Sequence, residues 1–330
     1  MPMANDSPAS VASPRRPCAQ DRDPPPWSLA PPPAGVDLAS ARTFCRRVAA
    51  WHYENFTVAT RLVPASLRQH LANVYAFARW SDDLADEAAS PGEAVAALAA
   101  WRRGLEDCFS GRPSHPVYIA LADTIRESGL AIDPFSDLLA AFEEDAAFDR
   151  RGVTVRYPTR AALLSYCSRS ANPVGRIVLA LAGCRGADAV AMSDSICTAL
   201  QLVNFWQDVR RDRLAGRVYL PVEDLDRHGV PETALDGAHA TLPLCNLLRD
   251  EVAWARRSFD EGAPLVGLAP RVLRPAIRLF LAGGRALADA IERQGFDTLC
   301  ARPRVGRWTK LALAARAWCD LQVAAISRSP

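Results

Sequence analysis

Leu71-Ala-Asn-Val-Tyr-Ala-Phe-Ala-Arg-Trp-Ser-Asp-Asp-Leu-Ala-Asp-Glu87 is the stretch whose reading decides the fold. Its apolar residues recur at steps of three and four, the period of an α-helix. Leu71, Tyr75, Ala78, Asp82 and Asp86 follow one another along one helical face, so an apolar stripe aimed at the core ends in carboxylates. Such a placement is costly without a counter-ion. An acidic cluster on a helix is ordinarily a solvated face, and this segment alone does not exclude that. Asp83 and Glu87 read as its solvated members.

A second stretch repeats the pattern. In Ile196-Cys-Thr-Ala-Leu-Gln-Leu-Val-Asn-Phe-Trp-Gln-Asp-Val-Arg-Arg-Asp212, the residues Ile196, Leu200, Asn204, Asp208 and Asp212 recur every fourth position. On one helix, three oxygen-bearing side chains would stand roughly 6 Å apart in a line that begins apolar and ends acidic. Two such segments in one helical chain point to carboxylate walls that share cations. Magnesium suits them, since it takes oxygen ligands, keeps waters and is usually completed by substrate phosphates. Downstream, Arg213-Leu-Ala-Gly-Arg-Val-Tyr-Leu-Pro221 offers Arg217 and Tyr219 close to Asp212. A guanidinium matches a diphosphate; spacing alone leaves Arg217 equally a surface arginine in a turn.

Outward from these stretches the pattern stays helical, over about 38–53, 66–88, 91–108, 115–129, 135–147, 159–183, 188–213, 245–260, 270–293 and 304–324. Pro64, Pro91-Gly92, Pro134, Gly152, Pro158, Gly186, Gly216, Pro221 and Pro270 fall at or between the segments. A single all-α domain over residues 38–325 is expected. Residues 1–37 carry ten of the 25 prolines and no apolar period, and read as a disordered Pro-rich tail.

Composition narrows the function. Basic and acidic residues nearly cancel, 39 against 37, and Lys310 is the one basic residue that is not arginine; no nucleic-acid partner is expected from this balance. Nine scattered cysteines form no CxxC pair, as in a reducing compartment. No apolar run approaches the roughly 20 residues of a membrane span, and no signal-peptide core is recognisable. A cytoplasmic location is the expectation. Gly283-Gly284 lies inside a helical pattern, where close helix packing explains it better than a phosphate cradle. No nucleotide motif is present. The phosphate ligand is therefore expected to be a diphosphate ester whose organic part fills an apolar interior, ionising to a carbocation as diphosphate departs.

The paired motifs Asp82-Asp83-Leu-Ala-Asp86 and Asn204-Phe-Trp-Gln-Asp208-Val-Arg-Arg-Asp212, followed by Gly216-Arg-Val-Tyr-Leu-Pro221, resemble those of the squalene and phytoene synthases, which have the all-α isoprenyl diphosphate synthase fold with a central apolar cavity. The resemblance runs from about residue 42 to 310. It implies magnesium ligands at Asp82, Asp86, Asn204, Asp208 and Asp212, with the four aspartates catalytic. It also implies diphosphate or substrate contacts from Arg79, Gln201, Arg217 and Tyr219. His52 and Asn55, in His-Tyr-Glu-Asn-Phe56, occupy the place of a motif that many relatives write His-x-x-Ser-Phe.

Glu54-Asn-Phe-Thr-Val-Ala59, Ser170-Ala-Asn-Pro-Val-Gly-Arg176 and Asn204-Phe-Trp-Gln-Asp208 look like the branch found in bacterial hopanoid gene clusters, the hydroxysqualene synthases. That branch implies a lyase converting presqualene diphosphate and water into hydroxysqualene and diphosphate. Asn172 is a candidate for positioning the water, with a turn role before Pro173 as the alternative. Other members condense two prenyl diphosphates head to head and often carry Tyr where Ser168 and Gly284 align. Squalene, presqualene diphosphate or phytoene are the alternative products, and a non-catalytic helical assembly factor is the remote one. A peripheral contact with the inner membrane and coupling to other squalene-pathway enzymes stay open.

Overall fold

The computed structural model of the protein describes residues 35–51, 63–86, 88, 90–151, 154–309, 312, 313 and 315–317. Its elements are α1 (Leu38–Trp51), α2 (Ala65–Asp86), α3 (Pro91–Phe109), α4 (Pro116–Ser128), α5 (Asp133–Arg151), β1 (Val155–Arg156), α6 (Arg160–Ser170), α7 (Asn172–Leu181), α8 (Ala187–Gln207), α9 (Val209–Leu214), β2 (Arg217–Val218), α10 (Val222–Arg227), α11 (Leu242–Gly262), α12 (Leu265–Leu268) and α13 (Arg274–Arg293). Local chemistry starts and stops them. Ser90, Thr159 and Thr241 accept N-cap hydrogen bonds at α3, α6 and α11, with Pro91 in the first turn of α3. Gly129, at φ 59°, closes α4 in the left-handed conformation.

Two groups of helices share the chain. In the first, α2 packs against α1, α3, α4 and α5; in the second, α8 packs against α7, α11 and α13. Helix α7 touches both α2 and α8, and α5 touches α2, α6 and α7. The core of the second group is built on Ala199, Leu202, Val203 and Trp206 of α8 with Leu244, Leu247, Leu248 and Phe259 of α11, all fully buried. Gly284 lets α13 approach that pair, because a Cβ there would lie 2.2 Å from Phe259 Cζ and 2.9 Å from Leu200 Cδ2. A Cβ on the adjacent Gly283 would meet nothing within 4 Å among the described residues.

The core face of α2 differs from the expected stripe. Asn73, Phe77 and Ser81 point inward: Asn73 Nδ2 donates to Ala120 O at 2.9 Å, Trp101 Nε1 donates to Ser81 Oγ at 2.9 Å, and the Phe77 and Trp101 rings stack 6.3 Å apart. Asn73 and Ser81 are polar but satisfied, so an apolar count could not see the face they belong to. As a result Asp83, expected in solvent, is buried with 8% side-chain exposure, while Asp82 is the more open of the two at 39%. Glu87 lies outside the described residues.

Two long helices expected from the sequence are each split. The 159–183 segment breaks at Ala171 (φ −120°, ψ −49°), two residues before Pro173, which has no N–H and whose ring crowds the carbonyl four residues back. The 188–213 segment breaks at Asp208 (φ −105°, ψ 14°). The short parallel bridge β1–β2 pairs Val155 with Arg217 and Arg156 with Val218. No helix among the described residues is long and apolar enough to cross a membrane, and the seven described cysteines are free thiols.

Candidate active site

The first acidic cluster closes α2. Arg79 sits one turn before Asp82 and Asp83 and reaches both: Nη1 donates to Asp82 Oδ2 at 2.9 Å and Nη2 to Asp83 Oδ1. Burial opposes the Arg79 charge, but Asp83 and Asp82 hold it above the usual arginine range. Arg79 Nε is buried and has no hydrogen-bond partner among the described residues. Asp86 is the last residue of α2; its side chain, and the whole of His52 and Asn55, lie outside the described residues.

The second cluster sits where α8 gives way to α9. The break keeps the four-residue register, because Asp208 N donates to Asn204 O at 3.0 Å and Asp212 N donates to Asp208 O at 2.8 Å. Asn204 is exposed, and Gln201 and Asp212 are half-buried on the same stripe. Asp208 caps no helix with its side chain. Its carboxylate is instead taken by Arg302, Nε on Oδ1 at 2.5 Å and Nη2 on Oδ2 at 2.9 Å, and Arg302 Nη2 also donates to Gln207 Oε1 at 3.1 Å. The Asp208 pairing raises the Arg302 pKa despite its partial burial.

Asp212, Arg217, Tyr219 and Phe205 line one small pocket beside this cluster. Tyr219 stacks on Phe205 at 3.8 Å and 10°. The β1–β2 bridge brings Tyr157 to 5.8 Å from the Tyr219 ring, and Tyr166 of α6 lies 5.4 Å from Tyr157 and 6.0 Å from Tyr219. Tyr166 Oη donates to Asp145 Oδ2 of α5 at 2.9 Å. Burial raises the pKa of all three tyrosines, and the nearby Asp145 adds to it in each. They are neutral phenols at physiological pH, and Tyr157 Oη is buried without a hydrogen-bond partner among the described residues.

Arg302, Asp145, Tyr157 and Tyr166 escaped the sequence reading. No spacing links residue 145 to 166 and 219, or 302 to 208; the fold alone does. The Ser170–Arg176 string receives a structural explanation in part: Asn172 Oδ1 accepts from Thr198 Oγ1 at 2.9 Å, and Arg176 pairs with Asp194 at 2.7 Å. A Cβ on Gly175 would lie 2.3 Å from Ser193 Oγ. Ser168 Oγ turns to its own helix, donating to Ser165 O at 2.8 Å.

The profile of the squalene/phytoene synthases matches residues 49–309 and so includes both acidic clusters, the Arg217–Tyr219 segment and Arg302. The chain belongs to this family. It is 30% identical to the phytoene synthase of Arthrospira platensis over 290 residues, 81% of this chain and 89% of that protein. Against the presqualene diphosphate synthase of Rhodopseudomonas palustris the identity is 29% over 259 residues, 78% of this chain and 91% of the other. Among solved structures, the squalene synthase HpnC of Alicyclobacillus acidocaldarius is 39% identical with a TM-score of 0.74, covering 78% of this chain and 95% of that one. A dehydrosqualene synthase crystallised with a ligand is 27% identical with a TM-score of 0.76, over 87% and 98%. The all-α fold is thus that of the squalene and dehydrosqualene synthases.

The donor set of the two clusters fits a hard divalent cation. Asp82, Asn204, Asp208 and Asp212 offer only oxygens, and the Asp82 and Asn204 side chains are open to solvent. Arg79 and Arg302 hold Asp82 and Asp208, which is the charge balance such carboxylates need when no cation is bound. A different group of metal-ligand types, His239, Asp297 and Cys300, is a turn cap: Asp297 Oδ1 accepts from the N–H groups of Ala240, Leu299 and Cys300.

Proposed function

We propose that the protein is a hydroxysqualene synthase, a lyase that releases diphosphate from presqualene diphosphate and delivers water to the resulting carbocation. The observation that carries this reading is the presence of two oxygen-bearing clusters, each held by an arginine, within a chain 39% identical to the HpnC squalene synthase. Asp82, Asp86, Asn204, Asp208 and Asp212 would hold Mg2+. The bound ion would neutralise charge developing on the departing diphosphate. Arg79 and Arg217 bind and orient that diphosphate, with Gln201 and Tyr219 beside it, and His52 and Asn55 complete the substrate contacts. The stacked Phe205 and Tyr219 present a π face to a cation formed next to them. With the phenols of Tyr157, Tyr166 and Tyr219 neutral, that wall carries no nucleophilic phenolate to trap the cation.

Gly284 supports the water-capturing branch. The position aligned with a tyrosine in many head-to-head synthases has no space for a side chain, since Phe259 and Leu200 fill it. A second reading, a head-to-head synthase acting on two prenyl diphosphates, is favoured by the likeness to proteins named phytoene synthase and presqualene diphosphate synthase. Incubating the purified chain and Mg2+ separately with farnesyl diphosphate and with presqualene diphosphate separates the two. Hydroxysqualene from presqualene diphosphate, with farnesyl diphosphate unchanged, is expected. Consumption of farnesyl diphosphate to a C30 product would favour the second reading. A cytoplasmic site of action and a domain spanning 38–325 belong to the same proposal.

A further inference from the structure

His239 stands in the loop ahead of α11, and Asp297, 58 residues further on, follows the end of α13 together with Cys300. The fold brings one ligand atom from each of the three, a ring nitrogen, a carboxylate oxygen and a thiol sulfur, to within 4.8 Å of one another. None of them belongs to the two acidic clusters.

The local backbone explains the meeting. After α13 the chain reverses through Gly295 (φ 66°) and Phe296 (φ 63°), both left-handed. Asp297 Oδ1 then accepts from the N–H groups of Ala240 at 2.8 Å, Leu299 at 3.2 Å and Cys300 at 3.1 Å, which ties both segments of the cluster to one carboxylate. This turn cap engages Oδ1, and Oδ2 faces His239 Nδ1 at 2.8 Å. A cap of this kind uses a carboxylate and backbone N–H groups. It gives no reason for an imidazole and a thiol to stand at the same aspartate. Gln294 Nε2 donates to Cys300 Sγ at 3.6 Å, the type of outer hydrogen bond that orients a thiolate ligand.

We propose that His239, Asp297 and Cys300 bind a divalent transition metal of the zinc class. Nitrogen and sulfur donors suit such a metal and not Mg2+, which takes oxygens, and three protein ligands leave a fourth position for water. Tetrahedral bonds of about 2.0–2.3 Å set donor atoms roughly 3.3–3.8 Å apart. Small side-chain rotations reach that spacing, since the His239 side chain is 76% exposed and Cys300 is exposed. The bound ion ties the loop before α11 to the segment that carries Arg302. That segment is already held on its other side, where Leu299 O accepts from Arg210 Nη1 at 2.8 Å and Pro303 O from Gln207 Nε2 at 2.6 Å. The inference is independent of the reaction proposed above.

The test is titration of the reduced full chain with Co2+, in excess Mg2+ so that oxygen donors are filled. One equivalent is expected to give a thiolate-to-cobalt charge-transfer band, which oxygen ligands cannot produce, and Zn2+ should displace it. Cys300→Ser should abolish the band. His239→Ala should weaken cobalt binding by at least the roughly 10–100-fold that loss of an outer partner costs. Cys184→Ser, in the turn after α7, should leave both unchanged. Saturating Zn2+ should raise the melting temperature of the parent and not that of His239→Ala. Asp297 is left intact because its cap holds the turn. No charge-transfer band, a band that survives Cys300→Ser, or equal binding by His239→Ala and the parent would overturn the proposal.

Discussion

Arg302, from the segment after α13, closes on both carboxylate oxygens of Asp208, 94 residues earlier in the chain. Arginine and carboxylate meet in a fork geometry that fixes direction as well as charge. The Asp208 side chain is 14% exposed and Arg302 46%, so solvent screening keeps the contribution modest, about 1 kcal/mol.

This pairing makes Arg302 the resident counter-ion of the second cluster. Arg302→Gln should lower the melting temperature of the metal-free protein by about 2 °C and leave the protein with Mg2+ and diphosphate less affected, because bound cation replaces the lost charge. Differential scanning calorimetry in EDTA and in Mg2+ with diphosphate checks it. An equal loss in both conditions would mean that Arg302 only packs.

Gly283 and Gly284 are neighbours with opposite consequences. Alanine at 284 would have to displace the Phe259 ring and Leu200, an overpacking that costs roughly 1–3 kcal/mol. Alanine at 283 meets nothing among the described residues and should stabilise the helix by about 0.5–1 kcal/mol. Urea unfolding of the two single variants measures both, and a Gly284→Ala protein as stable as the parent would contradict the packing of α13 on α8 and α11.

Stability should also fall with rising pH through one buried carboxyl. Glu251 is fully buried, and burial pushes its pKa up to about 8, with Arg160 opposing and Asp224 adding to the rise. The folded state then holds a proton that the unfolded chain, titrating at 4.5, has already released. That contribution is complete below pH 4.5 and is lost as pH rises through about 8. Glu251→Gln should flatten the dependence of melting temperature on pH between 5 and 8. A variant with the parent's slope would remove Glu251 as the cause.

Much of this was legible in the residues. Helix periods and proline breaks located the long helices, and the four-residue recurrence of Asn204, Asp208 and Asp212 located one cluster, because backbone hydrogen bonds hold that register even across the break. The core face of α2 was not legible, because Asn73 and Ser81 are inward polar residues whose partners come from α3 and α4. Arg302 and the Tyr157–Tyr166–Tyr219 group were hidden for a related reason. They meet through long-range contacts and a two-residue strand pairing, and neither leaves a local period in the chain.

Replacing one carboxylate of either cluster should separate folding from turnover. Asp82→Asn and Asp208→Asn keep the shape of each side chain and should melt within a few degrees of the parent, yet lose roughly two orders of magnitude or more in turnover as leaving-group stabilisation weakens. Steady-state rates at saturating Mg2+ give the answer. Near-parental rates in both would take these clusters out of the reaction.

The origin of the product oxygen tests the central claim most directly. If the cation leaves the site by capturing water, the reaction of presqualene diphosphate in oxygen-18 water, with Mg2+ and no NADPH, gives hydroxysqualene carrying the label in its hydroxyl group. Unlabelled alcohol, or squalene that forms only when NADPH is added, would contradict it.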